Sequence, residues 1–139
     1  MGRRGTGGPG TAAPEQDGGR APDPRRELGR RGEDLAARVL TDAGLVVLDR
    51  NWRCRSGELD IVATDGATLV VVEVKTRTGT GYGSPAESVT PRKLTRMRRL
   101  AQLWLAEHRV GWVAVRFDVV AVLARPGCAP EVEHLVGVF

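Results

Sequence analysis

The segment Thr68-Leu69-Val70-Val71-Val72-Glu73-Val74 constrains the fold more than any other stretch of the chain. It is almost continuously apolar and rich in β-branched side chains, the pattern of a strand covered on both faces. Such a strand is central in a sheet with a layer above and a layer below. The stretch before it, Glu58-Leu59-Asp60-Ile61-Val62-Ala63, is a second strand, and Asp65-Gly66 between them is a hairpin signal. Leu45-Val46-Val47-Leu48 begins an earlier strand that ends near Asn51, with Arg53-Cys54-Arg55-Ser56-Gly57 as a turn or short loop. The three strands read as an antiparallel meander.

Helical signals flank the meander. Asp23-Pro24 resembles an N-cap followed by proline at the first helical position. Leu28, Gly32, Leu35, Ala36, Val39, Leu40 and Ala43 then recur at helical spacing, and Gly44 supplies a stop. This predicts a helix over 25–43, with Glu33 near the edge of its apolar stripe. Thr90-Pro91 caps a second helix over 91–108. Leu94, Met97, Ala101, Trp104 and Leu105 line its inner face, and Arg92, Arg96 and Arg99 fall on the other side. A strand from Trp112 to Leu123, a turn from Arg125 to Pro130 and a short strand from Glu133 to Val138 complete the chain. The order is α-β-β-β-α-β-β. The second helix is long enough for a right-handed crossover between parallel strands, so the expected class is α/β, a mixed β-sheet flanked by helices.

Composition sets the domain limits. Residues 1–24 hold seven of the 18 glycines and four of the eight prolines, with few apolar side chains. Such a segment cannot offset its ordering entropy, so it reads as a disordered leader before a single domain over 25–139. No apolar run is long enough to span a membrane, and the leader lacks the apolar core of a secretion signal. The expectation is a cytoplasmic protein with no membrane partner. Two cysteines and two histidines give neither a disulfide framework nor a zinc site.

The net charge is +4, and the leader contributes none of it. The excess on the domain fits a polyanionic partner. Among the 21 basic residues only Lys75 and Lys93 are lysine.

The chemistry concentrates on the meander. Hairpin pairing can bring Asp60 beside Glu73, and strand periodicity puts Glu73 and Lys75 on one face with Val74 pointing away. Two adjacent carboxylates repel unless a cation joins them. A hard divalent ion such as Mg²⁺ or Mn²⁺ does so with oxygen ligands from Asp60, Glu73, the Val74 carbonyl and Glu33 of the first helix. It would polarise a phosphodiester, with Lys75 orienting or deprotonating a water or steadying negative charge. The plainer alternative pairs Glu73 with Lys75 on a strand edge and Asp60 with a backbone amide or an arginine.

Gly57-Glu58-Leu59-Asp60-Ile61-Val62-Ala63 and Val71-Val72-Glu73-Val74-Lys75-Thr76-Arg77 resemble the signature of the bacterial YraN family. Gly29-Arg30-Arg31-Gly32-Glu33, Tyr82-Gly83-Ser84-Pro85 with Ser88-Val89-Thr90, and Arg116-Phe117-Asp118-Val119 extend the resemblance over residues 27–139. That family is similar to archaeal Holliday junction resolvases in the PD-(D/E)XK, restriction-endonuclease-like superfamily. The resemblance implies a restriction-endonuclease-like core, with Asp60, Glu73 and Lys75 as catalytic residues. It implies a metal shell of Asp60, Glu73, Val74 and Glu33, and Mg²⁺-dependent hydrolysis of phosphodiesters in DNA. Leu59 stands where the superfamily name has proline. Resolvase relatives act as symmetric dimers, so a homodimer is expected.

Around this centre Arg30, Arg77, Arg92, Lys93, Arg96 and Arg99 are candidate contacts to a nucleic-acid backbone. Arg30 and the second-helix arginines read equally well as solvated faces. Lys93 resembles an auxiliary basic residue of some superfamily members. Glu58 is a candidate support for Lys75 or Arg77. The residues 77–85 read as a flexible loop, in which Tyr82 stacks on a base or packs the loop. Trp52 and Trp112 read as core or hairpin caps, Trp104 as core, His108 as a helix-end cation, His134 as surface and Asp118 as structural. The leading reading is a metal-dependent endonuclease of branched or otherwise non-standard DNA. The alternatives are a non-catalytic nucleic-acid-binding module and an adaptor whose acids form an internal ion network.

Overall fold

The computed structural model describes residues 23–79 and 89–138. The elements are α1 (Pro24–Asp42), β1 (Val46–Cys54), β2 (Gly57–Thr64), β3 (Thr68–Arg77), α2 (Pro91–Glu107), β4 (Ala114–Leu123) and β5 (Glu131–Leu135). The order is the expected one. Both helix starts form as their sequences predict. Asp23 Oδ1 accepts the Arg25 N–H at 3.1 Å, and Thr90 Oγ1 accepts that of Lys93 at 3.2 Å, with proline opening each helix. Residues 1–22, and the expected loop beyond Gly79 with Tyr82, lie outside the described residues.

The strands form one mixed sheet in the order β1-β2-β3-β4-β5. The meander β1-β2-β3 is antiparallel, β3 and β4 are parallel across α2, and β5 returns antiparallel to β4. The central strand is covered on both faces. Leu69 and Val71 pack with Met97, Leu100, Ala101, Trp104 and Leu105 of α2. Val70 and Val72 pack with Ala36 and Leu40 of α1. Leu100, which the helical periodicity also allows, joins the inner face of α2 and is buried.

Several boundaries differ from the sequence reading, and β3 continues through Lys75 to Arg77, which the sequence placed at the start of the loop. β1 runs past Asn51 to Cys54: the pairing stays in step from Arg50↔Ile61 to Trp52↔Leu59 although Asn51 has a left-handed backbone (φ 52°), which its short polar side chain tolerates. The irregularity in this pairing lies earlier, between Val47 and Asp49, and the ladder ends at Cys54↔Gly57, leaving a two-residue turn. β4 starts at Ala114 rather than Trp112, and β5 spans Glu131–Leu135 rather than 133–138.

Several polar and aromatic residues find specific partners. Asp118, fully buried in β4, is held by Arg116 Nε at 2.9 Å and Nη2 at 3.0 Å, His134 Nε2 at 2.8 Å and the Gly137 N–H at 2.9 Å. Burial pushes its carboxyl up, but Arg116, Gly137 and His134 outweigh that and hold it below the usual range. Asp118 is thus structural. His134 is not the surface residue the sequence suggests, since its side chain is 14% exposed and tied to Asp118. Trp104 is core and donates to Asp49 Oδ2 at 3.0 Å, and His108 stacks on it with ring centres 3.9 Å apart. Trp52 packs against the α2-side core and donates to Glu107. Trp112 is neither core nor hairpin cap: it is 97% exposed in the α2–β4 connection, where no strand partner covers it.

Candidate functional site

The site forms where β2 leaves β3. Their ladder runs from Thr64↔Leu69 to Ile61↔Val72, and the next step would place Asp60 opposite Glu73. There the ladder stops, while β3 continues beside β4 as far as Arg77↔Leu123. The edge of β3 vacated by β2 is capped by a side chain: Asp60 Oδ2 accepts the Val74 N–H at 2.9 Å. This satisfies an otherwise unpaired backbone donor and pins the carboxylate in the fork.

Glu73 projects to the α2 side, in step with Val71. Its Oε1 lies 2.7 Å from Lys93 Nζ and 3.2 Å from Lys75 Nζ. Asp60, Glu73 and Lys75 therefore share one end of the sheet, as the strand spacing requires. Lys93 belongs to the same cluster, not merely to an outer basic face.

Burial, then the nearby charge of Glu73, pushes the Asp60 carboxyl up to about 6; the Val74 N–H opposes the shift, and Glu33 and Glu58 add to it. Burial alone would lower the Lys75 ammonium, but the carboxylates of Glu73 and Asp60 help raise it overall. The Lys75 ammonium beside these carboxylates is suited to steadying negative charge.

Two cavities meet at Asp60. The larger, about 740 Å³, is lined by Glu33, Asp60, Val74, Lys75 and Arg77, and extends along the start of α1 to Arg25. The smaller, about 290 Å³, is lined by Glu58, Asp60, Glu73, Lys93 and Arg96. Glu33 reaches the first because α1 lies very close to β3. A Cβ on Gly32 would overlap the Thr76 hydroxyl. Neither this contact nor Arg25 was legible beforehand, although a glycine beside the acid of an apolar helix stripe is a usable signal of close approach.

The remaining candidates lie further out. Arg30, Arg92 and Arg99 are exposed, Arg96 is exposed at the rim of the smaller cavity, and Arg77 borders the larger one. Glu58 pairs with Arg53 at 3.1 Å.

The profile of the Uncharacterised protein family UPF0102 matches residues 32–122, which contain the whole fork. The chain belongs to UPF0102. This is the YraN family whose signature the motifs carry. A UPF0102 protein of Acidothermus cellulolyticus is 57% identical over 125 residues, covering 83% of this chain and 95% of the relative. One from Nocardia farcinica is 56% identical over 115 residues, covering 83% and 91%. One from Mycobacterium tuberculosis is 56% identical over 119 residues, covering 82% and 93%. Among solved structures, that of Archaeoglobus fulgidus Hjc, a Holliday junction resolvase from an archaeal hyperthermophile, is similar at 19% identity and a TM-score of 0.43, over 76% of this chain and 75% of that one.

Among the described residues, no three acidic, histidine or cysteine side chains of this UPF0102 chain are gathered as a ready metal cage, and Glu73 is engaged by two lysines. The donor chemistry nevertheless fits a hard divalent cation. Asp60 is an oxygen donor whose ionised form is disfavoured first by burial and then by Glu73, with Glu33 and Glu58 adding to it, and a cation at the fork would offset both. Asp60, Glu33, Glu73 and the Val74 carbonyl are the groups that would hold it. Among the described residues no helix is long and apolar enough to cross a membrane.

Proposed function

We propose that this UPF0102 chain is a metal-dependent endonuclease that hydrolyses phosphodiesters in DNA, with branched or junction DNA as its substrate class. Asp60, Glu73 and Lys75 are the catalytic residues of this reading, with Glu33 and Val74 completing the shell of a Mg²⁺ or Mn²⁺ ion. The observation that carries it is the fork itself. Two carboxylates and a charged lysine meet at an open strand end, beside a cavity large enough for a phosphodiester group and bordered by Arg25 and Arg77. DNA and branching follow from the likeness of the motifs to junction resolvases.

A bound Mg²⁺ or Mn²⁺ would polarise the phosphodiester and acidify a water. The chain's own residues do the rest. Asp60, pinned by the Val74 N–H, lines both cavities at the fork. The Lys75 ammonium faces the same space and stabilises charge building on the phosphorus oxygens. Exposed Arg92, Arg96 and Arg99 follow one face of α2 and suit contacts to a phosphate backbone, which position a duplex without reading its sequence. The proposal includes a single domain over 25–139, a homodimer and a cytoplasmic location.

The test is cleavage of a four-way junction, a flap, linear duplex and single strands with Mg²⁺ or Mn²⁺ and with EDTA, alongside Glu73→Gln and Lys75→Ala. Metal-dependent cutting by the parent alone supports the assignment. Equal cutting by both variants overturns it. The second reading, a binding module without cleavage, draws on the neutralisation of Glu73 by Lys75 and Lys93. It predicts DNA binding by all three proteins and cutting by none.

A further inference from the structure

Lys93 does more than add to a basic helix face. Its ammonium is closer to Glu73 Oε1, at 2.7 Å, than that of Lys75, at 3.2 Å. The two side chains of the closer pair are 19% and 18% exposed, so solvent and salt screen it weakly. The backbone beneath it is fixed, because the Lys93 N–H is bound by the Thr90 cap. A cation in the first turn of a helix is unfavourable, and α2 carries no acid there. Glu73, coming from β3, supplies the missing negative charge. The pairing has a geometric consequence. Glu73 borders the smaller cavity with Lys93 and Arg96, while Glu33, Val74 and Lys75 border the larger one; among the described residues only Asp60 borders both.

We infer that Lys93 is a positioning residue that holds Glu73 on the α2 side of the fork and competes with a divalent cation for its carboxylate. This rests on the proposed reading of Asp60 and Glu73 as metal ligands. A phosphate arriving at the start of α2 would compete with Glu73 for the Lys93 ammonium and free the carboxylate. Backbone binding and metal binding then reinforce each other, as linkage demands.

The experiment is calorimetric titration of Mn²⁺ into the full chain and its Lys93→Met, Lys93→Gln, Lys93→Arg, Asp60→Asn and Glu73→Gln variants, with circular dichroism to confirm folding. Removing the charge in Lys93→Met and Lys93→Gln tightens Mn²⁺ binding by roughly fivefold or more. Lys93→Arg keeps the parent affinity, a result that a purely structural role for the side chain does not produce. Having two uncharged variants guards against one that misfolds. Unchanged or weaker binding in both, with Asp60→Asn and Glu73→Gln still reducing affinity, overturns the competition and leaves the metal site standing. Parental affinity in Asp60→Asn and Glu73→Gln removes the metal site, and the inference with it.

Discussion

Gly32 on α1 lies so close to Thr76 on β3 that a methyl group at its Cα would overlap the threonine hydroxyl. This contact sets the height of α1 over the sheet, and hence the reach of the neighbouring Glu33 into the larger cavity. Gly32→Ala should therefore destabilise the fold by about 2 kcal/mol, the usual cost of forcing extra volume into a packed contact. Urea denaturation measures it. Adding Thr76→Ala removes the clashing hydroxyl and should recover part of the loss. Full stability in Gly32→Ala alone would show that the helix is free to shift.

Asp60 should be a stability liability at neutral pH. Its pKa is raised from 3.8 to about 6, so the folded state binds the proton more tightly than the unfolded state does. Its contribution is then favourable at low pH and declines as pH rises through the window from 3.8 to about 6. Asp60→Asn keeps an acceptor for the Val74 N–H and removes the charge. It should stabilise the protein by about 2 kcal/mol at pH 7, with the gain vanishing near pH 4. Chemical denaturation across pH reads this directly. A gain that does not depend on pH would mean that burial of the Asp60 charge, and its repulsion by Glu73, are not its source.

Lys75 offers a complementary test of the proposed chemistry. Lys75→Met keeps much of the side chain's bulk and removes the ammonium. If the endonuclease reading holds, the cleavage rate should fall by about 100-fold or more while DNA affinity changes little. Single-turnover cleavage and a filter-binding titration separate the two effects. A loss confined to affinity would reassign Lys75 to substrate binding.

Asp118 should matter to folding and not to the site. Asp118→Ala leaves the Gly137 N–H unpaired and strands Arg116 and His134 beside a hole, at a cost of about 3 kcal/mol. Because the Asp118 carboxyl is held below its ordinary value, its contribution is present above the unfolded-state pKa. That contribution fades as pH falls through the lower, folded-state value. Thermal melts of parent and variant should therefore converge in strong acid.

The exposed arginines of α2 can be counted by salt. If Arg92, Arg96 and Arg99 each meet a phosphate, replacing all three with alanine should flatten the slope of log K against log salt by about 2.7 for duplex DNA. Binding should weaken alike across sequences. An unchanged slope would return this face to solvent.

Much of the architecture was legible because it depends on local periodicity. The two capped helices, the Asp65-Gly66 hairpin and the apolar run of Thr68 to Val74 each announce themselves within about ten residues, and their order leaves few topologies. The convergence of Asp60, Glu73 and Lys75 was legible for the same reason, since a tight hairpin dictates which residues face each other. Trp112 and His134 misled for a shared reason. A tryptophan before a strand and a histidine in a polar stretch carry no local sign of burial, and each is settled by whichever element lies across from it. Asn51 misled because asparagine both ends strands and bends them.

By itself, then, the sequence determined the elements, the alternation that covers the central strand on both faces, and the two acids and a lysine at one end of it. These follow from side-chain period and turn chemistry, which act over short stretches of chain. Only the tertiary structure decided that β2 peels away so that Asp60 caps Val74, that Gly32 seats α1 against Thr76, and that Lys93 takes hold of Glu73. Those contacts join residues 14, 44 and 20 positions apart. They depend on helix height and strand divergence, which are set by the packing of both core layers at once.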